Sequence, residues 1–173
     1  ALGGLMGKLA DATGIQFRML NKSKGPAVWS PRCQSDRKLY SEMAVEFISS
    51  IENIKIIEDS VSEILIENGS VNGIRTGSGK EITAKAVILS VGTFMNAIMH
   101  TGLSATRGGR YNEKQSVGIT ESLVSHGFTS GRLKTGTPPR LKKSSINFDT
   151  LEEQPGDTDP KPFSHFTDLA NFP

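Results

Sequence analysis

The densest run of polar chemistry in the chain is RLKTGTPPR, residues 132–140. In an extended segment alternate residues share a face, so Arg132 and Lys134 point one way. Thr135 and Thr137 flank Gly136 on the other side, and Pro138-Pro139 stiffens the exit. A rigid basic loop of this kind suits an anionic ligand such as a phosphate, a flavin or an RNA backbone. It is equally the composition of a solvated loop between domains. Gly108-Gly109-Arg110 forms a second glycine-freed basic turn with the same two readings.

Other reactive residues carry less. Cys33, the only cysteine, lies just after Ser30-Pro31, which reads as an N-cap followed by proline at the first helical position. There a helix dipole could favour a thiolate, although free cysteine is also commonly a small packed side chain. His100, His126 and His165 share no ligand spacing, and one cysteine does not make a structural zinc site. Residues 73–80 superficially suggest a phosphate loop. A Walker A match would need glycine at Ile74 and serine or threonine at Glu81, and the segment reads as a hairpin. No catalytic residue and no metal ligand is assigned.

Length and composition bound what these residues can belong to. The 173 residues suffice for one domain or a piece of a larger one. Net charge is only +2, which marks no strong nucleic-acid bias but leaves room for a local basic stripe. A single cysteine fits a reducing compartment, and no apolar run approaches the roughly 20 residues of a membrane span. Neither the first residue, alanine, nor the last, Pro173 after Phe172, looks like a natural terminus.

The elements that must position the polar stretches follow from periodicity. Leu2, Leu5, Met6 and Leu9 share a helical face that ends at Gly14, and residues 15–20 alternate as a strand. Residues 21–28 (NKSKGPAV) are loop chemistry. The helix expected from Ser30-Pro31 runs to Ile51 with Leu39, Tyr40, Met43, Phe47 and Ile51 on one face. Residues 53–61 are expected as a strand, and Asn68-Gly69 between apolar alternations predicts a hairpin. Residues 71–76 return, and residues 80–89 close a three-stranded meander. That meander feeds KAVILSVGTF, whose apolar run predicts a strand buried on both faces and ending in a turn at Gly92. In open α/β sheets ligands sit beyond the carboxyl ends of such strands, although a plain core strand would look the same. Residues 115–126 predict a short helix stopped by Gly127, and the proline-rich stretch from Leu141 reads as a loop-rich excursion.

Taken in order, GIQFRMLNKSKGPA (residues 14–27), residues 34–40, Gly92-Thr93-Phe94, Gly108-Gly109-Arg110 and RLKTGTPPR resemble the glucose-inhibited division protein A (GidA/MnmG) family. This resemblance implies an α/β fold, part of a glutathione-reductase-type (Rossmann-like) FAD-binding domain with an antiparallel meander. Residues 1–137 would belong to that domain and residues 138–173 would open an inserted one. It implies a flavin enzyme that adds a carboxymethylaminomethyl group at C5 of the tRNA wobble uridine. NADH, a folate-borne one-carbon unit and the GTPase MnmE are its expected cofactors and partner, in a cytoplasmic homodimer. Matched onto this chain, the family's FAD contacts fall on Val61, at the end of the strand expected before the meander, on Gly92-Thr93, and on Ser116 at the start of the short helix. Strand-end backbone groups at Val61 could meet an adenine edge, and Ser116 could offer a hydroxyl and an N–H. Arg110, Arg132 and Lys134 would face the flavin or substrate.

The departures also carry expectations. No G-x-G-x-x-G follows a strand, so the pyrophosphate turn of such a fold is not among these residues. The family's two functional cysteines match nothing here, since Cys33 stands where its members commonly carry alanine. The helices that dock the GTPase are absent as well. The chain is thus expected to be an internal piece, inactive and fragile by itself. Two alternatives stay open: a folate- and FAD-dependent tRNA uridine methyltransferase, and a non-catalytic RNA-binding module using Lys22, Lys24, Arg32 and Arg37.

Overall fold

A computed structural model describes residues 4–136, 138, 139, 141–170 and 172. The chain divides into two compact units, one combining Ala1–Ile56 with Pro139–Pro173 and the other spanning Ile57–Pro138. Helices and antiparallel strands mix in both.

In the first unit, helix α1 (Leu5–Thr13) runs directly into strand β1 (Gly14–Leu20), which pairs antiparallel with β2 (Ser30–Ser35). Two 3-10 turns, Lys22–Lys24 and Pro26–Val28, fill the connection, and Asn21 at φ 60° opens it in the left-handed region that asparagine tolerates. Helix α2 (Arg37–Ser49) follows, capped by Asp36, whose Oδ1 accepts from the N–H groups of Lys38 and Leu39 at 2.9 Å each. The residues after 155 lie along β1: the Asp157 N–H donates to the Phe17 carbonyl at 2.8 Å, and the Met19 N–H donates to Asp157 Oδ2 at 2.7 Å. Further on, Asp11 of α1, buried, accepts from Phe163 N–H at 2.8 Å, Ser164 N–H at 2.9 Å and the Thr167 hydroxyl at 2.5 Å. Buried carboxylates need such partners, so one aspartate holds three residues of a segment with little regular structure. Leu9 and Phe17 form the dry centre, with the rings of Phe163 and Phe172 against Phe17.

The second unit is built on the meander β3 (Val61–Glu67), β4 (Ser70–Thr76) and β5 (Glu81–Thr83). Asn68 at φ 51° and Gly69 at φ 77° make the β3–β4 turn, the two positive values that a two-residue hairpin with the sheet's twist requires. Arg75 in β4 stands opposite Glu63 and Glu81 and pairs with both, so charges of alternating sign cross the three strands. A second hairpin, β6 (Ile98–Thr101) with β7 (Ser104–Arg107), and helix α3 (Ile119–Ser125) complete the unit. Ile64 and Ile119 are its buried apolar centre.

Three sequence expectations are corrected. Residues 30–35 form a strand rather than the start of a helix, because β1 supplies a partner ladder, and Asp36 rather than Ser30 caps the helix that follows. Pro31 is tolerated there in a two-stranded ribbon that has edges to spare. Residues 53–60 are not a strand, so Val61 opens β3 instead of ending an earlier element. Finally, residues 86–91 are not a buried strand. Regular pairing stops at Thr83, and Ile88 is 91% exposed. An apolar segment becomes a strand only when a neighbour takes up its backbone groups, and among the described residues none pairs with it. The expectations placed on Leu2, Thr137, Arg140 and Pro173 fall outside the described residues.

Candidate functional site

All seven residues matched to a ligand lie in the second unit, and most converge on the segment after Gly92. Gly92 turns the chain at φ 57°, and a Cβ there would meet only the Phe94 ring edge at 3.8 Å, so its backbone is approachable. The Thr93 hydroxyl donates to the Gly109 carbonyl at 3.2 Å, drawing the Gly108-Gly109-Arg110 turn against the same segment. A Cβ on Gly109 would fall 2.3 Å from the Phe94 ring, which explains glycine there. Met95 forms a parallel bridge to Ser116: the Ser116 N–H donates to the Phe94 carbonyl, and the Asn96 N–H donates to the Ser116 carbonyl, each at 2.8 Å.

Asn96 is the centre of this junction. Its side-chain amide donates to Glu121 Oε1 at 2.7 Å, and its carbonyl accepts both Arg132 guanidinium nitrogens at 3.2 and 3.1 Å. Glu121 in turn accepts from the Gly118 N–H at 3.0 Å. The Asn96 amide, above all, holds the Glu121 carboxyl below its usual range. The sequence reading missed Asn96. Its signal, an asparagine closely following a glycine turn, is weak, yet Asn96 adopts φ 46°.

Val61 joins the group through its neighbour: a Cβ on Gly118 would lie 2.3 Å from the Ser62 carbonyl, so the chain just past Ser116 presses on the start of β3. Ser116 lies three residues before α3 rather than at its start, and spends its N–H on Phe94, which leaves its hydroxyl for a ligand. The three cations differ. Arg110 is already paired with Glu113, Nε to Oε1 at 2.7 Å. Among the described residues Arg132 bonds to a neutral carbonyl and to no carboxylate, and Lys134 is exposed beyond it. Cys33 lies in the other unit, mid-strand opposite Phe17 and not at a helix start. Its half-buried thiol is 3.4 Å from the Ala10 carbonyl. Among the described residues no cluster of His, Cys, Asp and Glu could hold a metal, and no helix is long and apolar enough to cross a membrane.

The family model for glucose inhibited division protein A matches residues 1–171. The chain belongs to the glucose-inhibited division protein A family. Two relatives, both named tRNA uridine 5-carboxymethylaminomethyl modification enzyme MnmG, come from Salinibacter ruber and Chlorobium phaeobacteroides. They are 51% and 52% identical, each over 97% of this chain, and the matches span 26% and 27% of their own lengths. The structure of Aquifex aeolicus GidA superposes with a TM-score of 0.86 at 44% identity, covering 96% of this chain and 28% of that one. A GidA-related protein from Thermus thermophilus shares the fold over 56% of the chain, with a TM-score of 0.51 at 23% identity. The α/β fold class with its antiparallel meander is therefore the fold of GidA, and this chain spans about a quarter of the length of the relatives it matches.

Proposed function

We propose that this chain is part of a flavin-dependent enzyme that modifies uridine in tRNA, adding a carboxymethylaminomethyl group at C5 of the wobble base. The observation that carries the reading is the convergence of Gly92-Thr93, Gly109-Arg110, Ser116 and Arg132 around Asn96, in a chain whose relatives bear that enzyme's name. The donor set suits the neutral, hydrogen-bonding parts of FAD. Gly92 leaves backbone approachable, Ser116 offers a hydroxyl, and Val61 lies at the strand start that Gly118 presses against. Arg132 and Lys134 suit an anionic group of the cofactor or of the tRNA, whereas Arg110 must first exchange Glu113 for it. When bound, FAD supplies a two-electron redox carrier for attaching the one-carbon unit. The residues described here bind and orient it.

On this reading NADH, a folate one-carbon donor and the GTPase MnmE act with the full-length protein, a cytoplasmic homodimer. The 173-residue chain is inactive alone. Residues 1–137 contribute to the FAD domain and residues 138–173 to an inserted one. The test is nucleoside mass analysis of undermodified tRNA incubated with the full-length protein, FAD, NADH, the folate donor for the methylene, glycine for the carboxymethylamino part, and the GTPase with GTP. A carboxymethylaminomethyl mass at uridine is expected. Unchanged uridine would sink the proposal, and a methyl mass would transfer the chain to the methyltransferase reading. Ser116→Ala is expected to weaken FAD retention severalfold, read by visible absorbance after gel filtration.

A further inference from the structure

We propose that the cleft between the β1–β2 ribbon and residues 157–163 is an RNA subsite, in which one unstacked base lies on Trp29 and a neighbouring phosphate lies between Arg18 and Arg32. The choice of RNA rests on the tRNA reading above. The site itself rests on three observations made in the first unit alone.

Arg18 and Arg32 are directly opposite each other in the β1–β2 ladder. Cross-strand partners share a face, and like charges so placed destabilise a sheet unless something neutralises them. Among the described residues neither has taken a carboxylate. Arg18 donates to Gln154 Oε1 at 2.8 Å and Arg32 to Gln16 Oε1 at 3.3 Å, both neutral acceptors. The cleft's two aspartates are ion-paired with its two lysines, Lys22 with Asp157 at 2.8 Å and Lys161 with Asp159 at 2.7 Å, and Asp157 is near enough to Arg18 to feel its charge without bonding to it. Two guanidinium groups without a carboxylate hydrogen-bond partner therefore face one cleft that holds four cations and two aspartates, and a bridging phosphate would relieve the repulsion.

Next to them the indole of Trp29 is 48% exposed, with its Nε1–H fixed on the Lys22 carbonyl at 3.3 Å. A large aromatic ring held by its polar edge and open on its surface is a stacking platform. The cleft, open on one side to solvent, holds about 160 Å³. A cavity of about 150 Å³ takes up one benzene, so one six-membered pyrimidine ring is the natural guest. Lys24, exposed in the preceding turn, extends the positive surface towards a continuing backbone. The RNA-binding loop that the sequence suggested thus acquires a base platform and a phosphate site.

The test titrates the full-length protein with pentauridylate, NADH and inorganic phosphate, following the part of the tryptophan emission that Trp29→Phe removes. Pentauridylate is expected to quench it. The Trp29 variants lack that emission, so their affinities are read by anisotropy of fluorescein-labelled pentauridylate: Trp29→Ala should weaken binding about tenfold, and Trp29→Phe should hold it within about threefold of wild type, because a ring suffices for stacking. Arg32→Gln should lower the slope of log affinity against log salt by about 0.7, one phosphate contact on a single strand. With tRNA as substrate, Trp29→Ala should raise KM and spare kcat. Quenching by NADH but not by pentauridylate would overturn the proposal, as would phosphate competing as if no base were read, or Trp29→Ala binding as wild type. Failure of tRNA modification with pentauridylate binding intact would count against the enzyme reading alone.

Discussion

Asn96 holds three separate parts of the second unit with one residue: its N–H on Ser116, its side chain on Glu121 and its carbonyl on Arg132. It does so from φ 46°, where alanine would be strained by about 1–2 kcal/mol. Asn96→Ala is accordingly expected to lower unfolding stability by at least that amount in urea melts. Asn96→Gly keeps the backbone and should cost less, while losing the same carboxylate partner. The two variants separate strain from hydrogen bonding, and equal losses would refute the strain account. Asp59 offers a pH test in the same unit. The Ser78 hydroxyl first, then Thr76, holds its carboxyl below the usual 3.8. A depressed folded value means that its stabilisation is present above the unfolded value and is lost as pH falls through the folded one. The urea midpoint should therefore drop as pH is lowered below about 4, and Asp59→Asn should flatten that limb. An unchanged acid slope in Asp59→Asn would remove Asp59 from the account.

At the level of elements, α3 is held to the meander by its closure of a sheet edge. β3 is an edge strand, and the buried Ser122 hydroxyl accepts the Ile64 N–H at 3.1 Å and donates towards the Ile64 carbonyl at 3.4 Å. Ser122→Ala leaves both groups buried without a partner and should cost about 1–3 kcal/mol. Ser125→Ala on the same helix, exposed, should stay within about 0.5 kcal/mol of wild type in the same melts. Gly109→Ala drives a Cβ into the Phe94 ring and should cost about 1–3 kcal/mol, whereas Gly131→Ala meets nothing within 4 Å. These contacts also mark what the sequence could tell. Asn68-Gly69 announced its hairpin and Gly127 the end of α3, because local backbone chemistry decides both. Of the apolar face expected for α2, Tyr40 and Met43 are half-buried while Leu39, Phe47 and Ile51 are exposed, and its start was not legible either: β2 is made by pairing with β1 across a loop, and pairing leaves no local signature. RLKTGTPPR drew attention to Arg132, yet its partner Asn96 lies 36 residues earlier and no spacing rule links them. The charge stripe of Lys22 and Arg32 was visible, while Trp29 as its platform and Arg18 as its opposite number needed the ladder register.

Across the whole molecule, exposed area sets the strongest constraint. Within the second unit and the segment that leads into it, large apolar side chains are left open: Ile54, Ile56 and Ile57 before β3, Ile88 and Leu89 after β5, and Leu133 at 99% exposure. Two of these segments are the ones the sequence marked as strands, and both stop short of pairing for want of neighbours among the described residues. Apolar runs with unpaired backbone groups recruit any available edge. A protein limited to these 173 residues should therefore bind a hydrophobic dye and sediment as larger species with rising concentration. In the full-length protein, the matched relatives being nearly four times this length, the amides of residues 86–91 should be strongly protected from hydrogen exchange. The two measurements bear on one physical cause, since the chain that covers a strand also protects its amides. A monomeric 173-residue protein with a sharp melt and little dye binding would show that these segments need no cover, and fast exchange at 86–91 in the full-length protein would show that they receive none.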